Sequence, residues 1–179
     1  MENETKKTLA ELNLGDCFRI GTQEFVVLEH CIDATAVITK DVLADLMEFG
    51  ENNNYDGSYV DAACIAFADR LADIIGRENL VEHEVDLTSD DGLKDYGSVQ
   101  RFASLLTCDR YRKYVEVLDE HKPRRWWWLA TAFSTKKHDS DWWVKCVAPS
   151  GYIFIGLCSI DGLGVRPFCI LKSSIFVSV

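Results

Sequence analysis

The sequence predicts an α+β protein in which mixed antiparallel sheets carry two to four flanking helices, and three stretches predict it. Between Trp126 and Lys172 lie four short runs rich in aromatic and β-branched residues, at 126–133, 142–148, 152–159 and 165–172, separated by turns containing Gly, Pro, Ser or Asp. Such runs are the written form of an antiparallel sheet. A second group, at 17–20, 24–29 and 35–39, predicts a three-stranded meander whose first hairpin turns at Gly21-Thr22. Between the two groups Val60, Cys64, Phe67, Leu71 and Ile74 or Ile75 recur at three and four, which predicts a helix over 59–75 stopped by Gly76.

All five tryptophans (Trp126, Trp127, Trp128, Trp142 and Trp143) lie in the C-terminal group, which is therefore expected to supply most of the core's aromatic area. Successive residues of a strand face opposite sides, so at least one ring of Trp126, Trp127 and Trp128 should be partly exposed. The remaining elements follow from local signals. Residues 1–8 are polar and predict a flexible lead. Asp41 is expected to cap a short helix holding Val42, Leu43, Leu46 and Met47 that Gly50 ends. The asparagine-rich stretch 51–58 reads as a loop too polar for the core. In the helix over 59–75, Asp61, Asp69, Arg70 and Asp73 are expected to face water. Residues 80–87 alternate apolar and acidic, the period of a strand with one wet face. Ser98 is expected to cap a helix through Leu106, and Thr107 another holding Tyr111, Tyr114, Val115 and Leu118. The whole, 1–179, reads as one domain.

Charge divides the chain. Through residue 100 there are 7 Lys and Arg against 22 Asp and Glu; from 101 onward there are 12 against 7, for a net −10. Binding nucleic acid over the whole surface is disfavoured, because phosphate neutralisation needs positive charge at the contact. Glu78, Glu82, Glu84, Asp86, Asp90, Asp91 and Asp95 crowd one segment and form the candidate acidic face. Arg124 and Arg125, next to Trp126, form a basic and aromatic alternative that could stack on a nucleic-acid strand. The seven cysteines include no Cys-x-x-Cys pair and read as reduced thiols, which places the chain in the cytoplasm.

Chemical motifs are sparse. Gly162-x-Gly164 leads from strand to strand rather than into a helix, so it lacks the phosphate-binding device. His30 and Cys31 are adjacent and would point apart in a strand, while His83 faces away from Glu82 and Glu84. Asp139 and Asp141 in a hairpin loop are the best cation candidates, and calcium would need six to eight oxygens there. Any of the thiols could pair with His121 or His138, but spacing prefers none. Arg166, in an apolar strand, must find carboxylates or carbonyls if buried, and is expected to fasten that strand to the core. No catalytic residue, cofactor or metal is assigned.

Trp127-Trp128-Leu129 and Gly164-Val165-Arg166-Pro167, with a glycine-turn hairpin between them, resemble the two motifs of an uncharacterised bacterial and phage domain family. Leu14-Gly15-Asp16, the run 37–41 and Leu71 extend the likeness over nearly all of the chain. The family's usual Arg-Ser-Pro is replaced by Ala130-Thr131-Ala132, so nothing carried by that Arg or Ser transfers. The family is similar to C-type-lectin-like domains, and the resemblance implies that scaffold, with Trp127, Trp128 and Arg166 in structural places. A small acidic phage-type protein suggests a non-enzymatic protein-binding module. Its expected partner is a basic nucleic-acid-handling host protein, such as a CRISPR effector nuclease, inhibited in the anti-CRISPR manner. Two alternatives accompany it: a ligand- or receptor-recognition domain on the lectin-like scaffold, and nucleic-acid contact through 122–128.

Overall fold

Strands β1 (Lys6–Thr8), β2 (Cys17–Ile20), β3 (Gln23–Cys31), β4 (Ala34–Thr39) and β5 (Leu46–Met47) precede helix α1 (Tyr59–Ile75). They are followed by β6 (Leu80–Val81), β7 (His83–Asp86), β8 (Ser98–Arg101), β9 (Ala103–Ser104) and helices α2 (Cys108–Lys113) and α3 (Val115–Glu120). The last third contains β10 (Trp127–Ala132), β11 (Trp143–Val147), β12 (Ile153–Leu157), β13 (Leu163–Gly164), β14 (Phe168–Lys172) and β15 (Phe176–Ser178). The computed structural model describes residues 5–179. The larger sheet runs β1-β15-β2-β3-β4-β14-β6, with β9 also on β14; the smaller runs β12-β11-β10-β13-β5; β7 and β8 pair by themselves. The architecture is α+β and mostly antiparallel, with β10 and β13 running parallel.

The meander and α1 form where the sequence puts them. Ser58 caps α1 by accepting the Asp61 N–H, and Gly76 closes it at a positive φ that other residues resist. Several expectations are corrected. Lys6–Thr8 is not a loose lead but pairs with Phe176–Ser178; residues 1–4 lie outside the described residues. No helix follows Asp41, because Leu46 and Met47 instead pair with Gly164 and Leu163. The stretch 98–106 is extended rather than helical: Ser98–Arg101 pairs with His83–Asp86, and Ala103 and Ser104 lie opposite Cys169 and Phe168. The run 80–87 breaks at Glu82, its first half joining the larger sheet and its second the β7–β8 hairpin. The fourth aromatic run also divides, since Phe168–Lys172 leaves the tryptophan sheet and pairs with β4.

Three buried clusters result, and α1 contributes to two of them. One face of the larger sheet holds Phe18, Phe25, Val27, Val37 and Leu171 against Phe67 and Leu71 of α1. Its other face presents Val26, Leu28, Ile38 and Phe168 to Tyr111, Tyr114 and Leu118 of α2 and α3, and to Trp127 and Leu129. Trp128, Ala130, Val144 and Cys146 on the opposite side of the smaller sheet meet Phe49, Tyr55, Cys64 and Val85. Strand β10 is thus buried on both faces, which explains its uninterrupted apolar run. The predicted wet position falls to Trp126, which is 40% exposed, while Trp127 and Trp128 are enclosed.

Candidate binding surfaces

Alternation along β7 turns His83 and Val85 inward and leaves Glu84 and Asp86 in water, with Glu82 exposed just ahead of them. Opposite Glu84 and Asp86 stand Gln100 and Ser98, which are uncharged. Among the described residues, Glu78, Glu82, Glu84 and Asp86 form no ion pair. The Asp86 carboxyl is held below its ordinary range by the hydroxyl and N–H of Thr88. The other three members of the predicted acidic face are engaged within the protein. Asp90 lies 3.0 Å from Lys145 and 3.7 Å from Arg112. Asp91 accepts the hydroxyls of Ser134 and Ser89 and contacts His138, and these partners hold its carboxyl at about 2. Asp95 accepts the Thr135 hydroxyl at 2.9 Å. The structure therefore separates four unpaired carboxylates from three that staple the 88–95 turn to the 134–145 segment.

A polar cleft of about 370 Å³ opens beside the unpaired group, lined by Glu84, Asp86, Asp90, Thr107, Arg110 and Arg112 among others. Arg110 donates to the Glu84 carbonyl and lies over the Phe168 ring, so this cleft mixes both signs of charge. Arg124 and Arg125 are exposed on the connector before β10, and Arg124 lines a separate hollow with Lys40, Lys122, Glu24 and Glu120. Trp126 packs edge-on against Phe154, 5.3 Å between ring centres. Arg166 is buried, donates to the carbonyls of Thr39, Lys40 and His121, and sits 5.2 Å over the Trp127 ring; burial pulls its guanidinium down to about 10. The Trp128 indole N–H donates to the Met47 carbonyl, which secures β5.

The loop candidates do not converge. Asp139 adopts a left-handed backbone at the end of a short 3-10 turn, and the Asp141 carbonyl accepts the Asn53 N–H. Among the described residues, no three His, Cys, Asp or Glu side chains gather as metal ligands would. Cys17 and His121 are brought to 3.9 Å, yet burial pushes the Cys17 thiol up, the reverse of what an activated nucleophile needs. Cys146 faces Phe154 across the hairpin.

Two polar clusters escaped the sequence reading. Asp61, expected in water, is 1% exposed and held by Arg101 through two contacts of 2.8 and 2.7 Å; Arg101 also reaches Asp56 at 2.7 Å. Asn53, in the loop judged too polar for the core, is fully buried. Its amide donates to the carbonyls of Ser134, Ser140 and Trp143 and accepts the Tyr96 hydroxyl. For Asp61 the sequence signal was a charge at the rim of the apolar stripe of α1; Asn53, inside a run of three asparagines, carried none.

No family model, curated protein or solved structure matches the chain. No helix among the described residues is long and apolar enough to cross a membrane.

Proposed function

We propose that this chain is a non-enzymatic protein-binding module that presents unpaired carboxylates to a basic groove on its partner. The observation that carries the reading is the wet face of β7 and its approach, where Glu82, Glu84 and Asp86 stand exposed without a cation, in a chain of net charge −10. Carboxylates spaced along a strand imitate a phosphate row, and their field speeds encounter with a positive surface. The partner class is a basic nucleic-acid-handling enzyme such as a CRISPR effector nuclease, blocked at the groove that holds its nucleic acid. The lectin-like scaffold remains part of this proposal and rests on the resemblance of the Trp127–Leu129 and Gly164–Pro167 motifs. Asp90 and Asp91 leave the contact because Lys145, Arg112 and His138 face their charges, and Asp95 because it is tied to the Thr135 hydroxyl away from the wet face of β7.

The test is the triple reversal Glu82→Lys, Glu84→Lys and Asp86→Lys, assayed against a panel of purified basic nucleases with competing DNA. Binding by the unaltered chain is expected to weaken steeply as salt rises and to disappear on reversal. Stability should shift by no more than about 0.5 kcal/mol for the Glu82 and Glu84 reversals and by about 1–2 kcal/mol for the triple variant, in which Asp86 loses its two bonds from Thr88. Binding that survives the reversal, or that ignores salt, refutes the reading.

A further inference from the structure

Among the described residues, the outer strand of the smaller sheet has one partner and nothing beyond it. β12 is paired with β11 in unbroken register from Ile153 to Leu157. The Ala148 N–H donates to the Tyr152 carbonyl at 3.0 Å and the Cys158 N–H to the Trp142 carbonyl at 2.8 Å. In an antiparallel ladder, residues that exchange hydrogen bonds alternate with residues that point away. Ile153, Ile155 and Leu157 therefore direct their N–H and C=O groups outward, and of these the Leu157 carbonyl alone is engaged, by the Ile160 N–H. Edge strands are ordinarily protected by a proline, a bulge, a charge or a covering segment. The sequence Ile-Phe-Ile-Gly-Leu has no proline or charge, and its pairing has no bulge. Its side chains are wet on both faces, with Phe154 47%, Ile155 43% and Leu157 38% exposed. Trp126, Trp143 and Tyr152 extend the patch. An apolar area of this kind marks an interaction surface.

We propose that β12 pairs antiparallel with β12 of a second copy about a two-fold axis at Ile155, joining two five-stranded sheets into one. The strand fits itself. Ile155 meets its own equivalent, Ile153 meets Leu157, and about six backbone hydrogen bonds close the open edge. On the other face each Phe154 lies across from the second copy's Gly156. Gly156 is itself buried under the Trp128 ring, which a Cβ there would approach to 3.3 Å.

Charge selects a second copy over an unrelated strand. Just ahead of β12 the Lys122–Asp119 ion pair lies against Gly151 and cancels itself, which leaves the exposed Arg124 and Arg125, next to the Trp126 that touches Phe154, as the excess charge at that end. Just past its end, the carboxylates of Asp141 and Glu48 lie near Cys158, whose thiol is pushed up chiefly by burial and further by those two charges. A two-fold antiparallel arrangement sets the cationic end of each strand beside the anionic end of the other. The resulting particle carries two acidic faces and binds a repeated partner with avidity, though the pairing does not depend on how those faces are used.

Sedimentation of the purified full chain over a range of concentrations tests the pairing. The unaltered chain is expected at twice its monomer mass, and Ile155→Lys, which opposes two ammonium groups across the axis, at monomer mass with an unchanged far-UV spectrum. The Cα atoms of a hydrogen-bonded antiparallel pair lie about 5.5 Å apart, within disulfide reach. Ile155→Cys is therefore expected to cross-link to a covalent dimer under mild oxidation while the unaltered chain, with its own exposed Cys31, does not. This second variant decides the matter if Ile155→Lys disturbs folding. A monomer at every concentration overturns the proposal, as does a dimer that persists in a folded Ile155→Lys variant or fails to cross-link through position 155. A monomer whose edge captures another protein's strand also overturns it.

Discussion

Replacing Arg101 by alanine leaves Asp61 with its charge, its burial and almost none of its partners. In the intact protein the guanidinium forks onto both oxygens of Asp61 at 2.8 and 2.7 Å, and the Gly57 N–H at 3.0 Å supplies the remaining contact. Breaking a buried pair from one side costs about 3–5 kcal/mol, because the surviving ion is uncompensated. The Arg101 side chain is itself 18% exposed, so water can enter the space it vacates. The lower bound therefore applies, and about 3 kcal/mol is expected. For a chain of this length that corresponds to a fall in Tm of about 6–12 °C. Urea unfolding at neutral pH measures the first quantity and thermal unfolding the second. Two companions separate charge from geometry. Adding Asp61→Asn to Arg101→Ala should recover part of the loss, since a neutral amide tolerates burial better. Asp56→Asn should cost less than about 1 kcal/mol, because Asp56 is exposed. A loss under about 1 kcal/mol for Arg101→Ala, or a double variant less stable than the single one, refutes the reasoning.

Acid sensitivity should begin above the carboxylate range. Burial holds His83 at about 4 against an ordinary value near 6.5, so the unfolded chain takes the proton first. Stability from this residue is complete above about pH 6.5 and declines toward pH 4, by about 3 kcal/mol in all. His83→Gln should flatten the denaturant-midpoint profile between pH 7 and 5, and an unchanged slope would contradict the assignment. Gly164→Ala introduces a Cβ that would stand 2.6 Å from Cβ of Val42. Overpacking of this kind costs about 1–3 kcal/mol, and Val42→Ala should restore part of it, as equilibrium unfolding of the pair will show.

Elements whose information is local were legible. The helix at 59–75 announces itself through its apolar period, its Ser58 cap and its Gly76 stop, and the hairpin of β2 and β3 through Gly21 between two apolar runs. Thr107 behaves as the expected cap, accepting the Arg110 N–H. Elements whose identity depends on distant partners were not. Leu46 and Met47 have no strand pattern of their own and are extended because Leu163 and Gly164 pair with them. Residues 98–106 place apolar side chains at spacings that suit a helix, yet pairing with 83–86 and with β14 prevails over that local preference. The same limit governs charge. Proximity in sequence grouped Asp90 and Asp91 with Glu82 and Glu84, but Lys145, Arg112, Ser134 and His138 arrive from elsewhere in the chain and neutralise or bind the former pair. Asp61 lies next to the buried stripe of α1, and the guanidinium that makes its burial tolerable comes from β8.

The crossing from Gly164 to Phe168 shows why one short segment can determine two sheets. Gly164 pairs with Trp127 and Leu46 in the smaller sheet, and four residues later Phe168 pairs with Ile38 in the larger. A chain passing between two packed layers must satisfy its own polar groups without water. The Val165 carbonyl accepts the Leu43 N–H, and the Pro167 carbonyl accepts the Thr39 N–H. Arg166 serves the groups that remain, donating to the carbonyls of Thr39 and Lys40 where β4 ends and to that of His121 where α3 ends. A cation suits the latter place, because the carbonyl end of a helix is its negative end. A lysine would supply a point charge but not the planar fork that reaches three carbonyls and lies on the Trp127 face. The arginine therefore acts as a bracket between layers, and its enclosure removes it from any surface that a partner could touch.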